Sequence, residues 1–171
     1  HLCAKQSTPA KELAEGETMV TQYADFIISQ KEAIKQLSDI VVTDAFFCKT
    51  KFINALTNNG LEVITKGRND MDLRYLYRGP KRESGSGRQK MYAGKIMMKD
   101  LMLHLDKDYF DVIHEDEQVV MYCSEVNAKN FKRNFLLVII YDKKSKRHAL
   151  LVSTDLSLDG KTIVQYYTAR F

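Results

Sequence analysis

Ile40-Val41-Val42-Thr43-Asp44-Ala45-Phe46-Phe47 is the stretch that decides the predicted fold. Its first four residues are apolar or β-branched, which predicts a short buried strand. Asp44 closes this strand, and a helix is predicted from Ala45 to Thr57 because apolar residues recur there at helical spacing. The run Asn58-Asn59-Gly60 is a strong helix stop.

A second strand is predicted over Leu61–Thr65, and a further helix over Thr18–Leu37 precedes the deciding stretch. The short helical crossover between the two strands predicts that they run parallel. Asp44 therefore lies between a strand and a helix, at the edge of the sheet where the parallel strands have their carboxyl ends. Open α/β sheets place their functional sites at that edge.

The C-terminal half has a different, strand-rich pattern. Successive strand candidates without intervening helices predict antiparallel pairing, with Asp142–Lys146 as a polar hairpin tip; the candidates are Tyr109–His114, Val119–Val126, Asn130–Tyr141 and His148–Thr154. Asp159 is the predicted cap of a final helix that begins at Gly160 or Lys161. A strand and a short helix are expected within Lys95–Leu105.

Charge is unevenly distributed along the 171 residues, which fit one domain of net charge +4. Seven basic residues and only Glu83 as an acid lie between Arg74 and Lys95, and seven more basic residues oppose Asp142 between Lys129 and Arg147. Such clusters are the electrostatic footprint of phosphate binding, and a plain solvated surface is the alternative interpretation. The loop Arg74–Gly87, together with Tyr75, Tyr77 and Tyr92, is a candidate DNA-facing loop.

Cysteine and histidine usage excludes two classes of small stabilised domain. The three cysteines are far apart and predict no disulfide framework, which favours a reduced, cytoplasmic setting. The four histidines lack zinc-ligand spacing. No apolar run approaches the roughly 18 residues that cross a membrane, so no membrane partner is expected.

Several segments together resemble the insertion-sequence transposases of the DDE superfamily. The stretch Ile40–Phe47 resembles the family's second catalytic Asp segment, and Tyr167 and Arg170 match the first two letters of its Y-x-x-R-x-x-x-E signature. Further matching segments are the strand Leu61–Lys66 with Arg68-Asn69, the basic run Arg88-Gln89-Lys90-Met91-Tyr92-Ala93-Gly94-Lys95, and Leu151–Ser157.

The resemblance implies an α/β fold: an incomplete RNase H-like (ribonuclease H-like) mixed sheet with an antiparallel β-strand insertion. In this interpretation residues 17–70 form the RNase H-like core, 71–155 the basic loop and β-rich insertion, and 159–171 the start of the C-terminal catalytic helix. The family's first Asp would lie upstream of this chain and its Glu just beyond Phe171. The chain by itself is therefore expected to be inactive.

The resemblance also implies a chemistry. The parent enzyme would cleave transposon ends and join them to target DNA, in the bacterial cytoplasm near the nucleoid, with Mg²⁺ or Mn²⁺ held in part by Asp44. A homodimer on DNA is implied as well. The implied DNA contacts are Lys66, Arg68, Arg88, Lys90, Lys95, Tyr167 and Arg170.

Plainer interpretations of the same residues remain open. An Asp between a strand and a helix is in general more often a helix cap than a metal ligand. Tyr167 would then be a core aromatic and Arg170 a solvated residue of the last turn. Two other functions follow: a non-catalytic DNA-binding module, as a relic or a domesticated transposase, and a structural α/β protein without a nucleic-acid role.

Overall fold

The protein is a mixed α/β structure built on one open sheet of eight strands. A computed structural model describes residues 6–81 and 87–170. The strands run in the order β1-β2-β8-β7-β6-β3-β4, and β5 pairs with β6 beside β3. Their bounds are β1 Ile40–Thr43, β2 Glu62–Lys66, β3 Leu73–Leu76, β4 Tyr92–Lys95, β5 Asp111–Glu115, β6 Val119–Ala128, β7 Arg133–Asp142 and β8 His148–Ser153.

The parallel pair predicted from the sequence is confirmed. β1 runs parallel to β2, with Thr43 opposite Thr65, and the remaining pairings in the sheet are antiparallel. The expectation that β1 is buried is wrong. It is the first strand in the sheet order, so only one of its edges is covered, and Ile40, Val41 and Val42 stay partly exposed.

In the described residues five α-helices accompany the sheet: α1 Met19–Ser29, α2 Lys31–Lys35, α3 Thr50–Asn58, α4 Leu101–His104 and α5 Gly160–Thr168. The single helix predicted over Thr18–Leu37 is interrupted at Gln30, whose N–H donates to the carbonyl of Ile27. Ser29 contributes to the break because its hydroxyl donates to the carbonyl of Phe26 at 2.7 Å. A serine hydroxyl that bonds the backbone in this way competes with regular helix geometry.

The helix predicted directly after Asp44 begins later than expected. Ala45–Phe47 form only a 3₁₀ turn, and Lys49 is extended, so α3 begins at Thr50. Its predicted end is confirmed: the helix stops at Asn58, and Gly60 follows with a φ of +74°.

Two layers of apolar side chains cover the two faces of the sheet. Alternate residues along β2 face opposite sides, so Val63 joins the larger core under α1 and α3, while Ile64 joins the smaller core under α5. Phe52 and Leu56 of α3 are fully buried in the larger core. The sheet is thus a shared wall between two packed layers.

The basic region after β2 differs from the predicted loop. Its ends form the antiparallel pair β3–β4, and Tyr75 is a core residue, 7% exposed, whose hydroxyl accepts the N–H of Asp106. The ring of Tyr75 packs against Tyr109 and Phe110 because burial of an aromatic side chain is favourable, so the ring does not face solvent as the DNA-facing loop required. The predicted loop positions 82–86 lie outside the described residues.

The other strand predictions hold with small shifts. Residues 129–131 form a 3₁₀ turn rather than the start of β7, because Lys132 has a left-handed φ of 56° that is incompatible with a strand. A strand was expected to begin at Lys95, but β4 ends at this residue. The short helix expected after it is present as α4. No helix within the described ranges is long and apolar enough to cross a lipid bilayer.

Candidate nucleic-acid interface

Asp44 lies at the carboxyl end of β1, directly after Thr43. Its Oδ1 accepts the N–H of Phe46 at 2.9 Å, and its backbone carbonyl accepts the hydroxyl of Thr65 at 2.7 Å. The cap therefore occupies one carboxylate oxygen and fixes the rotamer of the side chain. The hydrogen bond from Thr65 ties this position to the neighbouring end of β2.

The segment Lys66–Met71 follows β2 at the same edge. Thr43 and Thr65 are opposite each other, so Asp44 and Lys66 occupy equivalent positions at the ends of two paired parallel strands. Gly67 lets the segment pass close to β8: its N–H donates to the carbonyl of Leu150, and a Cβ here would lie 2.9 Å from that of Leu150. Any larger residue would push the segment away from the sheet.

Three open clefts meet on the Lys66–Met71 segment. Asp70 lines all three of them, and Arg68 lines two. The largest, about 510 Å³, also contains Lys66 and His148; the second, about 230 Å³, contains Lys49; and the third, about 240 Å³, contains Lys95 and Lys99. The fold thus gathers lysine and arginine side chains from three separate parts of the chain around one surface segment, together with His148.

An ion pair lies at the centre of this surface. The guanidinium of Arg68 donates to both carboxylate oxygens of Asp70, Nε to Oδ1 at 2.9 Å and Nη2 to Oδ2 at 2.8 Å. These hydrogen bonds lower the pKa of the Asp70 carboxyl and raise that of Arg68. Fork geometry of this kind is the one that arginine uses to bind phosphate.

Lys95 lies on the same surface as Arg68, although it is the last residue of β4 and the strand β3 lies between the two in the sequence. Its side chain is 60% exposed, its Nζ lies 3.4 Å from Oδ1 of Asp72, and it lines the third cleft with Asp70. Lys66 has no acidic partner in the described part of the chain. Two predicted DNA contacts, Lys66 and Arg68, therefore adjoin a third, Lys95.

The structure does not bring Arg88 and Lys90 to this surface. Both lie on the connection between β3 and β4, at the opposite end of the strand order from β1, and neither lines the three clefts. The ammonium of Lys90 packs over the ring of Tyr77, 4.9 Å from its centroid. As DNA contacts, these two residues stay a prediction.

Tyr167 lies in the last turn of α5, whereas Arg170 follows in a turn just beyond the end of the helix, and the two side chains contact each other. Nη2 of Arg170 donates to the Tyr167 hydroxyl at 3.2 Å, and the guanidinium carbon lies 4.9 Å from the ring centroid. Tyr167 also packs against the smaller core, which includes Ile40 and Val42 of β1. The C-terminal helix thus lies over the parallel pair that carries Asp44, and it contacts β1, β2, β7 and β8.

The residues present fit a divalent ion only in part. Mg²⁺ binds hard oxygens, commonly one or two carboxylates together with substrate phosphates. Asp44 offers one such carboxylate, and among residues 6–81 and 87–170 no three His, Cys, Asp or Glu side chains converge on a common point. Asp155, two residues after β8, lies at the end of β8 that pairs with the start of β2, away from Asp44.

His148 and Lys49 are the site residues that sequence reasoning missed as ligands. Nζ of Lys49 lies 4.4 Å from the ring centroid of Phe46, and Lys49 follows Asp44 by five residues, so its proximity could have been expected from spacing. His148 begins β8 and reaches the Lys66 cleft through strand pairing alone. No local sequence pattern predicts that His148 lies beside Lys66.

Comparison with known proteins adds no family. No protein-family model matches the chain, and a search of curated proteins finds no significant match.

Proposed function

We propose that this chain is part of the catalytic domain of a DNA transposase of the DDE type, with an RNase H-like core. The observation that carries the proposal is the position of Asp44. It stands at the carboxyl end of one of two paired parallel strands, beside Lys66, and the helix that packs on this pair carries Tyr167, with Arg170 just beyond its end. Carboxylate, cations and the signature helix of the resemblance are thus assembled on one part of the sheet.

The strand arrangement supports the RNase H-like assignment. β1, α3 and β2 form a parallel βαβ unit, and α5 packs on the face opposite α3. The uncovered edge of β1 is where further strands of such a sheet would pair. The resemblance makes residues 71–155 an insertion, and their strands continue the same sheet through β8.

Asp44 is the residue of this chain that would hold a metal ion. A divalent ion held there would supply stabilisation of negative charge on a DNA phosphodiester. The part of this chain is to hold one ligand rigidly, through the Phe46 cap, and to bind the DNA backbone with Lys66 and Arg68. The resemblance assigns the other two carboxylates of the site to positions outside residues 1–171.

One observation favours a second function, a DNA-binding module without catalysis. The cap from Asp44 to the N–H of Phe46 gives this residue a structural role that needs no metal. In that case the cations around Lys66–Met71 bind phosphate, while Asp44 only closes the strand. The two functions differ in whether Asp44 binds a divalent ion.

Paramagnetic Mn²⁺ decides between them. Mn²⁺ titrated into the isotopically labelled chain with duplex DNA is expected to broaden the amide signals of residues 43–47 and 65–67 in NMR spectra. Asp44→Asn removes the charge but keeps an oxygen that accepts from Phe46, so it is expected to abolish this broadening without unfolding the strand end.

Asp155→Asn is the matched control. Asp155 also caps a turn, through Ser157, and lies at the other end of the β2–β8 pair. Its replacement is expected to leave Mn²⁺ broadening unchanged. Equal broadening in wild type and Asp44→Asn would overturn the metal-binding role of Asp44, and the DNA-binding module without catalysis would be the remaining function. Failure of the wild type to bind DNA even at low salt would overturn both DNA-based functions.

A further inference from the structure

A fourth cleft, the Lys146 cleft, adjoins the cleft that contains Lys66 and shares His148 with it. It measures about 380 Å³ and is lined by Asp100–Leu103, Tyr141, Lys146 and His148. The cleft lies between α4 and the β7–β8 hairpin, two elements that are distant in sequence. Through the common wall of His148, it extends the basic surface around Lys66 toward Lys146.

Backbone strain concentrates in this cleft. The described residues include three non-glycine positions with positive φ, and two of them line the cleft: Asp100 at 51° and Lys146 at 59°. A left-handed backbone is costly for a residue with a Cβ, and such residues persist where the surrounding structure holds them, commonly at ligand sites. Lys146 is held on the cleft wall by this conformation.

An unsatisfied ring nitrogen lies beside the same cleft. Nε2 of His148 is buried and has no hydrogen-bond partner. Buried polar atoms without partners are uncommon, and each one calls for a structural or functional cause. Because His148 lines the cleft, a group bound there could satisfy one of its ring nitrogens if the imidazole rotates about its Cβ–Cγ bond.

We propose that the Lys146 cleft binds one nucleotide of the DNA strand that lies on the Lys66–Met71 surface, with its phosphate on Lys146 and His148. Tyr141 and Leu101–Leu103 supply an apolar wall for the sugar and base. Asp100 supplies an acceptor for a base N–H, which makes a whole nucleotide a better ligand than a phosphate ion. The inference rests on the proposed DNA function and extends it to a subsite.

Lys146→Asn tests the subsite, because asparagine tolerates a left-handed backbone and removes the charge. Binding of a short fluorescent DNA duplex is measured by anisotropy over a range of salt concentrations. The variant is expected to weaken binding about tenfold and to reduce the slope of log K against log[salt] by about 0.9, the contribution of one phosphate contact. Inorganic phosphate at the same phosphate concentration is expected not to displace the DNA.

Lys144→Asn is the matched control, since Lys144 is an exposed lysine of the same hairpin that does not line the cleft. It is expected to change affinity less than twofold. His148→Phe is expected to weaken binding severalfold while thermal stability is kept, because the replacement removes the unsatisfied nitrogen; circular dichroism monitors folding of all three variants.

The outcomes separate this inference from the proposed function. If the wild type binds DNA and Lys146→Asn behaves like Lys144→Asn, the subsite is overturned while DNA binding stands. If inorganic phosphate competes as well as DNA, the cleft binds an anion only and the nucleotide assignment is overturned. If the wild type binds no DNA at low salt, the proposed function and the subsite fall together.

Discussion

At the scale of single residues, the pair Arg68–Asp70 is expected to set how strongly the Lys66–Met71 surface binds DNA in the proposed function. Asp70 occupies the fork of the guanidinium in the way that a phosphate would. Both side chains are well exposed, at 44% and 66%, and exposed pairs of this kind are weak. In the proposed function, a DNA phosphate would therefore displace Asp70 at a small cost in free energy.

Asp70→Asn is expected to raise the affinity for duplex DNA severalfold. The change removes the competing carboxylate and leaves Arg68 able to bind phosphate. In an Arg68→Gln background the same replacement is expected to have little effect, because the fork that Asp70 blocks is absent. Anisotropy titrations of the wild type, both single variants and the double variant measure the coupling between the two positions.

Asp72→Asn controls for charge alone. It removes one acid from the same surface, but Asp72 faces Lys95 at 3.4 Å and makes no fork. A gain from Asp70→Asn that persists without Arg68, or that Asp72→Asn reproduces in full, would mean that overall charge and not displacement of Asp70 sets the affinity.

At the scale of elements, the helix α5 is positioned by its first residues. Oδ1 of Asp159 accepts the N–H of Thr162 and caps the helix; the Thr162 hydroxyl, which donates to Oδ2, and this N–H together lower the pKa of that carboxyl. Gly160 then lets the helix start close to the sheet. A Cβ at this position would lie 2.7 Å from Cδ1 of Ile113 and 2.9 Å from Sγ of Cys123.

Gly160→Ala is expected to destabilise the protein although alanine favours helices. The added methyl group overlaps Ile113 and Cys123, so α5 has to move away from the sheet, and overpacking of this kind costs about 1–3 kcal/mol. Urea denaturation followed by circular dichroism measures the change. Gln165→Ala, an exposed change on the same helix, is expected to alter stability by less than about 0.5 kcal/mol.

The sign of the Gly160→Ala effect is informative. A gain in stability would mean that α5 adjusts freely on the sheet. Tyr167 and Arg170 would then have no fixed position relative to β1, and the arrangement behind the proposed function would lose its support.

At the scale of the whole molecule, one sheet joins two cores that each contain a cysteine. Cys48 lies in the larger core, with its Sγ 3.8 Å from Sδ of Met71, and Cys123 lies in the smaller core under α5. Burial raises the pKa of both thiols to about 11. Neither is therefore a ready nucleophile in the folded protein, because the thiolate is the reactive form.

The two buried thiols are expected to become reactive together. With Cys3→Ser in place, a thiol reagent at neutral pH should modify Cys48 and Cys123 only after unfolding, with the same dependence on denaturant. The physical reason is that the shared sheet cannot lose one layer without exposing the apolar face beneath it. Mass spectrometry of peptides from partly labelled protein measures each rate.

Different labelling rates for the two cysteines would show that the layers open separately. Faster labelling of Cys123 in particular would identify α5 as a locally unfolding element. The Asp44 part of the sheet would then be only intermittently covered by α5.

Local patterns predicted most elements, and their failures have physical causes. The stop at Asn58-Asn59-Gly60 and the cap at Asp159 were correct because both depend on hydrogen bonds within a few residues. The continuous helix over Thr18–Leu37 was wrong because periodicity does not register a local hydroxyl–carbonyl bond such as that of Ser29. Tyr75 was misplaced as a ligand because its burial depends on Tyr109 and Phe110.

The sequence by itself determined the strand Ile40–Thr43, its Asp44 terminus, the parallel partner that follows and the antiparallel run of the C-terminal half. These follow from side-chain periodicity and turn chemistry, which act over short distances. Only the tertiary structure decided that β2 lies next to β8, with Lys66 opposite Leu151. Such pairing between distant segments depends on packing of both faces of the sheet, and it alone brings His148 beside Lys66.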